Sequence, residues 1–196
     1  MDILNKTAEN LNSNGFTARV FDSCEDAKNF LKENLKDEVI GIGGSKTIKD
    51  MGLYDILKEN NTVYWHWLNK EDKYKCSQFT AYMCSANAVS AEGEMVNIDG
   101  HGNRLASTLF GPKKCFFIVG QNKICPDIYS AIERAKNIAV PLNARRLGAD
   151  VPDDEGSDCL DFKNVSKICS ALTIYMRPMS SFDEVHVLII KEDLGF

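Results

Sequence analysis

Apolar residues along this chain follow two periods, and the alternation between them sketches a fold. Ile3, Leu4, Thr7, Ala8 and Leu11 recur at helical spacing, predicting an amphipathic helix over residues 2–14 that Gly15 ends. Phe16–Phe21 reads as a short strand. Ser23, with Asp26 three residues on, has the form of a capping box and opens a helix whose buried face is Ala27, Phe30, Leu31 and Leu35. The β-branched run Val39-Ile40-Gly41-Ile42 is a strand, and Ser45 or Thr47 opens a further helix toward Leu57. Thr62–His66 is a strand, then comes a helix ending near Tyr74, then a strand at Phe79–Ser85. Strands alternating with helices predict βαβ units and a mostly parallel sheet with helices on its faces.

From Ala88 to Leu109 the pattern changes. Ala88–Ala91, Met95–Ile98 and Arg104–Ala106 read as strands joined by Glu92-Gly93 and by Asp99-Gly100-His101-Gly102-Asn103, so an antiparallel hairpin excursion is expected. Cys115–Gly120 is continuously apolar, as a buried strand is. Pro126–Asn137 reads as a helix and Pro141–Leu147 as a second, short one. Residues 148–170 are acidic and irregular, and Leu172–Met176 and Glu184–Ile190 are the last strands. No repeat or linker interrupts the chain, so residues 1–196 are read as a single α/β domain.

Composition narrows the partners. The 196 residues are 44% hydrophobic and 26% charged, an ordinary globular balance that can bury a core without staples. The net charge is -5, and basic pairs no longer than Lys113-Lys114 and Arg145-Arg146 give no stripe for nucleic acid or an anionic membrane. No apolar run nears the ~20 residues that span a bilayer. The first residues lack the basic and apolar segments of a secretion signal. Seven cysteines, an odd number lying mostly singly in regular elements, suit a reducing cytoplasm.

The chemistry centres on Gly41-Ile42-Gly43-Gly44-Ser45-Lys46-Thr47. A strand that turns through glycines into a helix brings backbone N–H groups toward a ligand. Ser45 and Thr47 add hydroxyls, and Lys46 adds a charge, so Gly43, Gly44, Ser45, Lys46 and Thr47 form a candidate nest for a carboxylate or phosphate. The competing reading is a capped turn with no ligand. The spacing matches neither the P-loop nor the dinucleotide fingerprint, and no cofactor is implied.

A second cluster holds Ser85-Ala86-Asn87, Glu92, Glu94, Asn97, Asp99, Asn103 and Arg104. Neighbouring carboxylates can share acid and base roles, which makes Glu94 and Asp99 candidates for moving a proton. Arg104 can fork onto an anion, with Asn87 beside it. Asp99, Gly100, Gly102 and Asn103 also suit plain turns. His66 reads as packed in a strand, His101 as a turn residue and His186 as part of a terminal strand. None sits at metal-ligand spacing, so no metal site is expected. No Gly-x-Ser-x-Gly elbow is present.

Taken in order, Gly41–Thr47, Ser85–Val89, Gly93–Arg104, Phe110–Lys114, Asn122–Ile124, Pro141–Leu147 and Glu192–Phe196 resemble the LUD (lactate-utilisation) domain family along the whole chain. The resemblance implies a parallel-sheet fold similar to ribose-5-phosphate isomerase and CoA-transferase-like proteins. It also implies a role in oxidising L-lactate, beside iron–sulfur oxidoreductase subunits as partners. Short members often carry four cysteines before the final strands. Here Cys159 and Cys169 fill two of those places, while Asp153 and Phe162 stand in the others, so no iron–sulfur centre is expected. Three roles stay open: an accessory subunit of lactate oxidation, an enzyme acting on a phosphorylated or CoA-linked substrate, and an organic-acid sensor. An exposed sheet edge near the hairpins would suit a homodimer.

Overall fold

The computed structural model describes residues 2–148 and 168–196. Its strands are β1 (Thr17–Phe21), β2 (Val39–Ile42), β3 (Thr62–Trp65), β4 (Ala81–Cys84), β5 (Ala88–Ser90), β6 (Met95–Asp99), β7 (Lys114–Gly120), β8 (Ile124–Cys125), β9 (Ala171–Tyr175) and β10 (Glu184–Ile190). Its helices are α1 (Ile3–Ser13), α2 (Cys24–Asn34), α3 (Lys46–Asp50), α4 (Leu53–Leu57), α5 (Asn103–Leu109), α6 (Ile128–Arg134) and α7 (Val140–Arg146). Six strands form one parallel sheet in the order β1-β10-β7-β4-β2-β3, and four form a second sheet in the order β8-β5-β6-β9.

The long apolar runs follow from burial on both faces. In β7, Cys115, Phe117 and Val119 enter one core while Phe116 and Ile118 enter the other. The first core is closed by Leu4 and Leu11 of α1, Leu105 of α5, and Val89 and Met95 of the second sheet. The second is closed by Ala27 and Leu31 of α2, Ile48 of α3, and Leu53 and Leu57 of α4. The outer face of the second sheet buries Ala88, Val96 and Ile98 against Ala131, Ala135 and Val140. Helices therefore flank both faces of the main sheet.

Caps fall where the side chains predict them. Asp2 accepts from the Asn5 N–H to start α1, and Ser23 accepts from the Asp26 N–H to start α2. Such a cap contributes about 1 kcal/mol. Asn10 of α1 and Asn14 just past its end then donate to the carbonyls of Ala91 and Gly93, at 2.7 and 3.0 Å, pinning the helix to the β5–β6 turn.

Four expectations are corrected. Arg104–Ala106 is helical, within α5, because the Asp99 carboxylate accepts from the N–H groups of His101 and Gly102 and turns the chain. β9, from much later in the chain, pairs with β6 instead. The helix expected from Ser45 to Leu57 is split by Gly52 at φ +65° into α3 and α4. The segment ending at Tyr74 is a 3₁₀ turn over Lys70–Tyr74. The two helices expected around Pro141 are one, because α6 passes through a π turn at Ala135–Ala139 into α7. Proline has no N–H for the usual ladder, and a widened turn accommodates it.

Asp153, Cys159 and Phe162 lie outside the described residues; Cys169 is half-buried. Among the described residues no helix is long and apolar enough to cross a membrane. Nor is any group of three or more His, Cys, Asp or Glu side chains among them placed to hold a metal ion.

Candidate functional site

The chain leaves β2 for β3 on one side of the sheet, and β4 lies on β2's other side. A parallel sheet opens a crevice at such a reversal, beyond the carboxyl ends of its strands. A cleft of about 1250 Å³ lies there. Residues that follow β2 (Gly44–Lys49), β3 (His66 and Trp67), β4 (Ser85–Asn87) and β7 (Lys123) line it, with Phe196 beyond β10.

Gly43 and Gly44 do not have positive φ. What they require is room. A Cβ on Gly43 would stand 2.7 Å from the Tyr82 hydroxyl, and one on Gly44 would stand 3.0 Å from Trp67 Nε1. The turn therefore threads between a buried phenol and an indole. The Gly43 N–H is spent on the Met83 carbonyl. Ser45 caps α3, its hydroxyl accepting from the Ile48 N–H at 3.3 Å. The helix has five residues, so its dipole adds little to the capped turn. Lys46 donates to both Asp50 oxygens at 2.6 Å, which draws part of its charge away from any guest.

Thr47 is buried, and its hydroxyl accepts from Lys123 Nζ at 3.0 Å. Ser85 accepts from the same amine at 2.9 Å. Lys123 is only 4% exposed, and no carboxylate pairs with it among the described residues. Burial lowers its pKa from 10.5 to about 7, helped by the Arg134 and Arg104 charges and opposed by Cys84 and Asp50. Arg134 braces the site from behind, donating to the carbonyls of Asn122 and Asn87 at 2.9 and 2.6 Å.

Arg104 and Asp99 form a mostly buried pair. Arg104 Nε donates to Asp99 Oδ2 at 3.1 Å, and Arg104 Nη2 donates to the Ile98 carbonyl at 2.6 Å. Nη1 makes no hydrogen bond to any described residue. Both Asp99 oxygens are committed, Oδ1 to the N–H groups of His101 and Gly102 and Oδ2 to Arg104. Asp99 thus aims the guanidinium rather than holding an open lone pair for a proton. Asn87 Oδ1 accepts from the Ile98 N–H at 2.8 Å and ties β4's exit to β6.

Glu94 is not brought to this cluster. It precedes β6, at the opposite end of that strand from Asp99, beside the turn that packs on α1. One of its carboxylate oxygens is buried without a partner among the described residues. The pairing of Glu94 with Asp99 as acid and base therefore has no geometric support.

Lys123, His66, Trp67, His101 and Arg146 line the cleft and were not singled out as site residues by the residue pattern, whereas Ser85, a member of the second cluster, lines it too. Trp67 stacks on Trp65 at 5.4 Å between ring centroids, and the Arg146 guanidinium lies 4.5 Å over the Trp67 ring. Burial lowers the pKa of His66, so it favours the neutral imidazole. Seven lysines and arginines line the cleft against two aspartates, in a chain whose net charge is -5.

The family model described as the LUD domain matches residues 4–190. No curated protein matches this sequence. Among solved structures, a DUF162 family protein from Deinococcus radiodurans is similar over 96% of each chain, with a TM-score of 0.58 at 14% identity. At that identity the likeness concerns the fold.

Proposed function

Since the chain belongs to the LUD domain family, we propose that its cleft receives a small organic anion, a carboxylate or a phosphate. Arg104, Lys123 and the turn from Gly43 to Thr47 are its holders, with Asn87 shaping the wall. The observation that carries this reading is the local excess of positive charge, seven basic side chains to two acidic ones, gathered in one crevice of an acidic protein. Like charges are not crowded together without a counter-charge to offset them. Arg104 is the anchor, because Asp99 and the Ile98 carbonyl fix its plane and leave Nη1 for the guest.

The reading extends to L-lactate oxidation as the setting and oxidoreductase subunits as partners, a step that family membership motivates. A pull-down from the native cell that recovers no oxidoreductase would count against that setting and leave the anion site standing. The site itself is tested by thermal shift with lactate, pyruvate, sugar phosphates and CoA esters. A ligand at a hundredfold excess over its dissociation constant stabilises the fold by about 2.7 kcal/mol. Arg104→Met should abolish the shift. If no compound of the panel moves the parent protein's melting point, the reading is wrong.

A further inference from the structure

A buried lysine normally faces a carboxylate, because an unpaired ammonium inside a protein is costly. Lys123 instead gives two N–H bonds to hydroxyls, those of Thr47 and Ser85, two residues that line the cleft with it. An amine that donates twice to hydroxyls and carries no charge keeps one lone pair free of those bonds, in a residue that lines the cleft. Hydroxyls suit a neutral amine better than a carboxylate would, since they do not favour the protonated form.

Resting on the anion-site reading above, we propose that Lys123 is a nucleophile that condenses with the carbonyl carbon of a small 2-oxo carboxylate held in the cleft. The choice of class follows from the neighbours. Arg104 offers its Nη1 to a carboxylate, and a carboxylate next to a carbonyl keeps that carbon electrophilic. The lone pair attacks the carbonyl carbon, the C=O π pair moves to oxygen, and that oxygen takes a proton to give a carbinolamine. The nitrogen loses its protons, the hydroxyl leaves as water, and a C=N bond stands where the C=O was. One water is released, and nothing is oxidised or reduced. Ser85 and Thr47, already bonded to the amine, are placed to pass the protons. Burial, reinforced by Arg134 and Arg104, brings the amine to about 7 and so supplies its free form near neutrality.

The test uses the full chain with pyruvate, a compact member of the class, followed by borohydride reduction and peptide mass mapping. The expected result is a reduced adduct on Lys123 ahead of every exposed lysine, and its loss in Lys123→Arg. Lactate, which carries a hydroxyl in place of the 2-oxo group, should raise the melting point without leaving an adduct. A melting shift with pyruvate but no adduct on Lys123 overturns the nucleophile and leaves the anion site intact. If neither pyruvate nor lactate shifts the melting point and no adduct forms, the nucleophile falls, and the anion site falls with it only when sugar phosphates and CoA esters fail as well. Mapping on the parent protein decides the matter even where the variant does not fold.

Discussion

Gly195 lies directly against Thr47: a Cβ built on Gly195 would stand 2.5 Å from Thr47 Oγ1 and 2.9 Å from its backbone nitrogen. Gly195 also sits at φ +64°, where a side chain is strained. Gly195→Ala should therefore lift the tail off Thr47 and disturb the hydroxyl that receives Lys123. The strain alone costs about 1–2 kcal/mol. We expect a lower melting temperature together with weaker anion binding, read by calorimetry. Unchanged binding would mean that the tail does not shape the cleft.

Lys123 gives a pH signature. Its folded pKa, about 7, lies below its ordinary 10.5, so between those values the unfolded chain binds the extra proton. The group opposes folding most below pH 7, and that opposition fades as pH rises toward 10.5. Lys123→Met removes the titration. Its stability advantage over the parent should shrink, by an amount on the order of a few kcal/mol, between about pH 6 and about pH 10. Urea denaturation of both proteins across this range measures it, and a gap independent of pH would show that the amine titrates normally.

Asp99→Asn tests the aiming of Arg104. The amide can keep Oδ1 for His101 and Gly102 but turns an N–H toward Arg104 Nε, setting donor against donor. Stability should fall by about 1–3 kcal/mol. Anion affinity should fall with it, while borohydride trapping at Lys123 should persist at saturating pyruvate. Retained affinity would show that Arg104 needs no such support.

Gly41 is required by packing, not by turn geometry. A Cβ there would stand 2.3 Å from two carbons of the Phe79 ring. Gly41→Ala should lower the urea midpoint by the equivalent of about 1–3 kcal/mol with an unchanged slope. Adding Phe79→Leu should restore part of the loss. Strict additivity of the two changes would refute the contact.

Much of the sheet was legible because parallel strands buried on both faces leave continuous apolar runs, as in Cys115–Gly120 and Val187–Ile190. Arg104 misled because Gly102 and Asn103 suit a hairpin as well as a helix start. Only the Asp99 carboxylate, reaching two following N–H groups, selects the helix. The glycine turn was visible, though its reason was not: Tyr82 and Trp67, far apart in sequence, exclude a Cβ there. Lys123 escaped notice because a lysine just past an apolar strand looks like any polar residue at a strand end. Its meaning depends on β7 lying beside β4, and β4 beside β2, an order that no local pattern encodes. Glu94 and Asp99 are near in sequence and stand at opposite ends of one strand, so proximity along the chain was a poor guide to shared chemistry.

The position of β10 between β1 and β7 also bears on how the molecule is made. Thr17–Phe21 pairs with His186–Ile190, so β1 has no partner until β10, made far later in the chain, emerges from the ribosome. Until then its hydrogen-bonding edge is bare, and the nascent chain is a natural client for a holding chaperone. A stop codon that removes β10 would sever β1 from the sheet altogether, turning a late nonsense mutation into a failure of the whole domain to assemble.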